Sequence, residues 1–244
     1  LKECCDIPIF HDDQHGTAIV VAAALTNALR LTGKNIGDIR AVFSGAGAAG
    51  TAVFKLLWKM GLRHAVLCDI NGVVYPGRPD LANDPWLAEL AELGQPTVRG
   101  GLAEAMVGAD LFVGVSAPNL VTGDMVRSMA KDPILFAMAN PVPEIMPDVA
   151  LEAGAAVVGT GRSDFPNQIN NMMAFPGVFR GALDVRARDI NDEMKLAAAY
   201  ALADLVGDDL APDHIVPEGF DTRITPAVAK AVAQAARDTG VARL

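Results

Sequence analysis

Short apolar runs alternate with longer, helix-like segments along most of this 244-residue chain. The first long segment follows Gly16 and Thr17, is apolar on most sides, and gives out at Leu31, before Thr32 and Gly33. That pattern predicts a buried helix, with Thr17 as its N-cap and Gly33 as its stop. Further on, apolar positions at 39–43, 64–68, 110–115, 134–138 and 156–159 predict strands, and 72–75 a short extra strand turning at Pro76 and Gly77. Helices are expected between them, from Asp84 or Pro85 to Leu93 and at 48–60, 102–107, 123–130 and 146–153. From Pro176 onward the pattern is helical, at 176–184, 190–206 and 226–239. The connection at 206–225 is the one candidate for a tether to another layer. Short apolar strands alternating with helices indicate a parallel sheet covered on both faces.

The stretch AVFSGAGAAG, residues 41–50, sets Gly45, Gly47 and Gly50 in a GxGxxG pattern. It follows an apolar strand and opens a helix, the context that gives the pattern meaning. The first glycine permits a tight turn, the second lets the backbone approach a pyrophosphate, and the third lets helix and strand pack closely. Free N–H groups of Ala46, Ala48 and Ala49 at such a helix start favour an anion. The next strand ends on Asp69, about 24 residues after Gly45, where the fingerprint wants an acid for the adenosine ribose. A carboxylate there repels a 2′-phosphate, which favours NAD over NADP, although Arg78 is near enough in sequence to leave NADP open. Ser116 and Asn119, in FVGVSAPN, end the next strand and face the same crevice, unless Pro118 merely makes a turn there. The expected fold is α/β, a Rossmann-like doubly wound, mostly parallel sheet. Its core spans about 37–180, with helical flanks at 12–33 and 186–240, and 1–244 reads as a single domain.

The segment IFHDDQHGTA, residues 9–18, holds His11 and His15 four apart around Asp12 and Asp13. A zinc motif needs both histidines on one continuous helix and a third ligand. Pro8 and Gly16 support such a helix poorly, and no His, Cys, Asp or Glu follows between Gly16 and Gly37. Two readings of the aspartates stay open. They complement a helix dipole, or they contribute to a hard-cation site for Mg²⁺ or Mn²⁺.

Composition narrows the classes. Net charge is −9, without a basic stripe, which disfavours nucleic acid and anionic membranes as partners. The longest apolar run, 18–25, is too short to span a bilayer. Cys4, Cys5 and Cys68 are odd in number and form no CxxC pair, which reads as reduced thiols in a cytoplasmic protein. The chain starts at Leu1 with chemically loaded residues close behind, which reads as a piece of a longer protein.

Several stretches converge on one family. IPIFHDDQHGTAIV, FSGAGAAG, CDINGVV, FAMANPVPE and GTGRSDFPNQINNMMAFPGVFRGALD together resemble the malic enzymes, specifically the bacterial short form. The resemblance runs over nearly the whole chain. It implies a decarboxylating oxidoreductase that turns malate into pyruvate and CO2 with NAD(P) and a divalent metal, Mg²⁺ or Mn²⁺. It implies Asp13 as a metal ligand and Asp12 as an adjacent active-site carboxylate. It implies that Asn140 and Asn171 face malate and the nicotinamide, with Asn170 beside them, and that residues 45–50 and Asp69 hold the cofactor. The family's Glu-Asp metal pair, lysine base, tyrosine acid and substrate arginine have no counterpart here. The expectation is therefore a cofactor-binding domain whose N-terminal partner domain is missing, binding NAD weakly and turning over little malate. Loss of that domain should bare an apolar face, with Phe10, Phe165, Met172 and Met173 as candidates, and promote self-association as a homo-oligomer. The alternative is a non-catalytic dinucleotide-binding or sensing module. Another dehydrogenase, such as one acting on amino acids, fits the HDDQHGTA segment poorly.

Overall fold

The computed structural model describes residues 5–94 and 96–244; Cys4 lies outside them. The strands are β1 (Arg40–Ser44), β2 (His64–Asp69), β3 (Gly72–Val73), β4 (Leu111–Gly114), β5 (Ile134–Ala137) and β6 (Val157–Thr160). They form a single sheet in the order β3-β2-β1-β4-β5-β6. Every pairing is parallel except β2 with β3, which are antiparallel. Apart from Arg40, every residue of β1, β4, β5 and β6 is buried. That accounts for their continuous rather than alternating apolar sequence. The extra strand predicted at 72–75 is real but shorter. Gly72 turns it back against β2 with a φ of +97°, and a Cβ there would stand 2.4 Å from the Gly100 carbonyl oxygen. The chain can make this reversal only with glycine.

The helices are α1 (Thr17–Thr32), α2 (Ala48–Met60), α3 (Pro85–Gly94), α4 (Leu102–Met106), α5 (Gly123–Arg127), α6 (Pro147–Glu152), α7 (Phe175–Asp184), α8 (Asp192–Asp204) and α9 (Ile224–Asp238). One face of the sheet carries α1, α2 and α3, with α7, α8 and α9 extending that layer; the other carries α4, α5 and α6. Phe43 of β1 and Phe54 of α2 meet with ring centroids 5.4 Å apart and knit the larger layer to the sheet. α1 is buried nearly all round, as its alanine-rich sequence predicts. Its one buried polar side chain, Asn27, donates to the carbonyls of Ala203 and Ile215. The connection after α8 is therefore part of the same core rather than a tether: Ile215 is fully buried, and its N–H donates to Asn167 at 2.9 Å. Among the described residues no helix is long and apolar enough to cross a membrane.

Two local expectations change. Thr17 does not cap α1. A π-helical turn at Asp12–Gly16 runs straight into the helix, Gly16 already has helical dihedrals, and no side chain caps the junction. The candidate apolar residues are also at most partly exposed: Phe165 and Met172 are half-buried. Met173 is buried, and Phe10 is half-buried, packed edge-on to Phe179. The exposed stripe is Phe175, Phe179 and Leu183, four residues apart along α7. Helix packing explains this, because Gly177 and Gly181 bring the opposite side of α7 tight against α9.

Candidate functional site

β1 and β4 are neighbours whose following helices leave toward opposite faces of the sheet. A crevice opens beyond their C-terminal ends, the place where such sheets bind ligands. On one side the chain turns sharply at Gly45, whose φ is +109° and whose N–H donates to the Cys68 carbonyl at 2.9 Å. A Cβ at Gly50 would lie 1.8 Å from the Gly45 carbonyl oxygen, whereas one at Gly47 would meet open space. The first and third glycines thus build the turn, and the second leaves room above it. α2 begins here without a side-chain cap, so its first N–H groups stay available to an anion.

A cavity of about 600 Å³ runs from this turn toward Asp69, bounded by Ala117, Leu120, Ile70 and Leu102. Asp69 closes its far end. Both carboxylate oxygens accept from Arg78, and Oδ1 also accepts from the Asn71 N–H at 2.8 Å. Arg78 is only 6% exposed and also donates to Asp80 and to the Val73 carbonyl. Its hydrogen bond to Asp69 raises its pKa further, against the effect of burial. Arg78 is thus committed behind Asp69 rather than free at the cavity mouth. Cys68, beside them, is a buried thiol pushed up to about 12 by burial and by the Asp69 charge.

A second cavity, of about 350 Å³, adjoins the first through Ser116, which lines both. Asp13, Ala49, Asn140, Asn170 and Asn171 line it as well. Residues separated by more than a hundred positions thus converge on one space. Asn171 starts a 3₁₀ turn that Asn170 caps, accepting from the Met172 N–H at 3.0 Å. Among the described residues the side-chain amides of Asn140 and Asn171 make no hydrogen bond, so both are available to a ligand. Asn119 lines neither cavity; it sits in a left-handed turn and donates its N–H to Pro143.

The Asp12 carboxylate packs against Gly16, and the Cβ of Asn171 lies beside the same glycine. Among the described residues the buried Oδ1 of Asp12 has no hydrogen-bond partner. Burial first, then the neighbouring Asp13 charge, raises its pKa, with His11 opposing. A carboxyl raised in the folded state favours folding while protonated and loses that advantage as pH rises through its folded value. Asp12→Asn should therefore stabilise the fold at neutral pH, and the gain should vanish below the ordinary carboxyl range, as read by chemical denaturation at several pH values. The histidines do not act as a pair. His11 is extended, outside the helical turn, and its N–H donates to His15 Nδ1 at 3.1 Å. Among the described residues no three His, Cys, Asp or Glu side chains stand close enough to hold a metal. Asp12, with an unsatisfied buried oxygen, and Asp13 fit part of a hard-oxygen cation site, not a zinc site.

One residue of the site escapes sequence reasoning. Glu144 is fully buried and accepts from the N–H of Ser116 at 2.9 Å, from the Ser116 hydroxyl at 3.2 Å and from the N–H of Ala139 at 3.0 Å. It fastens the loop after β4 to the loop after β5. Gly114 makes room for it, since a Cβ there would lie 2.4 Å from the Glu144 carboxyl carbon. An acid four residues beyond Asn140 in ANPVPE is the only signal the sequence offers. Glu144→Ala strands two backbone donors and should cost about 3 kcal/mol, measurable by urea unfolding.

The family model for the malic enzyme NAD-binding domain matches residues 14–237. The bifunctional malic/malolactic enzyme of Bacillus subtilis is 58% identical, over all of this chain and 60% of that protein. The NADP-dependent malic enzyme of Rhizobium meliloti is 52% identical, over all of this chain and 34% of that protein. The crystal structure of Entamoeba histolytica malic enzyme superposes with a TM-score of 0.95 at 44% identity, covering 100% of this chain and 52% of that one. The chain therefore spans about a third to three fifths of the relatives it matches. With a Rossmann-like sheet, a glycine turn at its switch point and this likeness along its whole length, the chain belongs to the malic enzyme family and constitutes its NAD-binding domain.

Proposed function

We propose that this chain, acting as one cofactor-binding unit over 1–244, serves the oxidative decarboxylation of malate to pyruvate and CO2 with NAD(P) and Mg²⁺ or Mn²⁺. The observation that carries this reading is the shared wall at Ser116, with a dinucleotide-sized cavity on one side and Asp13, Asn140 and Asn171 on the other. In this reading the pyrophosphate rests on the backbone of Gly45, Ala46, Gly47, Ala48, Ala49 and Gly50. Asp69 accepts hydrogen bonds from the adenosine ribose, which favours NAD over NADP. Ser116 and Asn140 would hold the nicotinamide ring. Asn140 and Asn171 hold the malate carboxylates by their amides, adding no charge. Asp13 binds the cation, and Asp12 keeps a second carboxylate beside it. Held there, the nicotinamide would supply a hydride acceptor and the cation would supply positive charge beside the substrate oxygens.

Neither Tyr75 nor Tyr200 nor any lysine lines the 350 Å³ cavity among the described residues. We propose that the proton-transfer groups come from another part of the enzyme. A proton donor or acceptor must stand within hydrogen-bond reach of the reacting atom. Calorimetric titration with NAD⁺ tests the reading, followed by malate oxidation measured on the same sample. Saturable NAD⁺ binding with little turnover supports it. Absence of NAD⁺ binding contradicts it, and so does turnover at an ordinary enzyme's rate by this chain alone. NAD⁺ binding that stays indifferent to Mn²⁺ and oxalate, even with the rest of the enzyme supplied, would favour a sensing module.

A further inference from the structure

At the opposite end of the sheet from the glycine turn lies another cavity, of about 300 Å³, at the N-terminal ends of β1 and β2. The parallel register sets Arg40 beside His64, and Val42 beside Val66. Residues two apart on a strand share a face. All four side chains therefore stand on the side of the sheet covered by Ala105 and Ala109. Val42 and Val66 make an apolar floor, and Pro96 and Val98 also line the cavity.

The rim is polar and unsatisfied. Among the described residues neither the Arg40 guanidinium nor the His64 imidazole has a hydrogen-bond or ion-pair partner. Asp110, the acid next to Arg40, is already engaged. Its Oδ1 accepts from Lys34 Nζ at 2.6 Å and its Oδ2 from the Arg40 backbone N–H at 2.9 Å. Asp38 is the only acid among the described lining residues.

We propose that this cavity is a second ligand site, for a small monocarboxylate with a compact apolar body. A guanidinium takes a carboxylate with two parallel hydrogen bonds, and His64 adds a donor beside it. The valine and alanine surfaces then receive a short chain or a single ring, which suits a volume at the small end of ligand pockets. Asp38 at the rim opposes a second negative charge and so discriminates against dicarboxylates and phosphate. The site is remote from the crevice, so it stands or falls independently of the malate reading.

The test is a titration of the isotopically labelled chain with benzoate, followed by amide resonances. Saturable shifts are expected at Arg40, Ala65, Val66, Val98 and Ala105, with inorganic phosphate at equal concentration leaving them unmoved. Arg40→Gln should weaken benzoate binding about tenfold or more and leave NAD⁺ binding as it was. Val66→Phe should fill the cavity and abolish benzoate binding. Because Arg40 is exposed, its variant keeps the test valid if Val66→Phe fails to fold. The proposal is overturned if benzoate moves none of these resonances, if phosphate moves them equally, or if Arg40→Gln binds benzoate as tightly as the parent chain.

Discussion

Gly50→Val should remove NAD⁺ binding and much of the stability of the chain at once. The Gly50 Cα lies so near the turn that any Cβ would sit 1.8 Å from the Gly45 carbonyl oxygen and 3.2 Å from a methyl of Val115. Neither neighbour can yield. Gly45 is held by its own hydrogen bond to Cys68, and Val115 by its N–H to the Ser44 carbonyl. The start of α2 must move away from β1, taking with it the N–H groups that would meet the pyrophosphate. A loss of about 3 kcal/mol or more in stability is expected from such overpacking, with about a hundredfold weaker NAD⁺ binding. Gly47→Ala is the informative contrast. Among the described residues a Cβ there meets nothing within 4 Å, so stability should hold while the approach of the pyrophosphate is hindered. Urea unfolding and calorimetry on the two variants separate a folding role from a binding one.

Asp69→Ser should invert the cofactor preference. In the folded chain Asp69 lines the large cavity while both of its carboxylate oxygens accept from Arg78. Removing the carboxylate takes away both the repulsion of a 2′-phosphate and the partner that restrains the guanidinium. Arg78 keeps Asp80 as its remaining ion pair, and its other edge becomes free for phosphate. NAD⁺ affinity should fall about tenfold and NADP⁺ affinity rise by a similar factor, the scale of a single charge-assisted hydrogen bond. Titration of both cofactors against parent and variant reads this directly. Equal losses for NAD⁺ and NADP⁺ would mean that Asp69 acts only by holding the turn at residues 69–80.

The sheet is legible in the sequence because its strands are buried on both faces. Runs such as LFVG and ILFA have no alternation to mislead, and their alternation with helices identifies parallel pairing. The antiparallel turn of β3 is not legible, because pairing direction there depends on one glycine approaching the Gly100 carbonyl. The start of α1 escapes sequence reasoning for a related reason. Cap propensity weighs single residues, whereas here a π-helical turn at Asp12–Gly16 runs straight into the helix, with the Asp12 side chain lying in the space that Gly16 leaves. In the site, the glycine turn and the acid at Asp69 follow a local pattern, and the asparagines follow the family resemblance. Glu144 and the Asp69–Arg78–Asp80 cluster follow neither. Their role depends on which backbone donors and charges the fold brings to them, and spacing along the chain carries no trace of that.

The juxtaposition of the glycine turn with Asn140 and Asn171 is most directly tested by intermolecular NOEs from the nicotinamide ring protons of bound NAD⁺. Cross-peaks to the side-chain amides of both asparagines are the expected result. Cross-peaks to neither, with the ring instead beside residues of α7 or the N-terminal edge of the sheet, would contradict it.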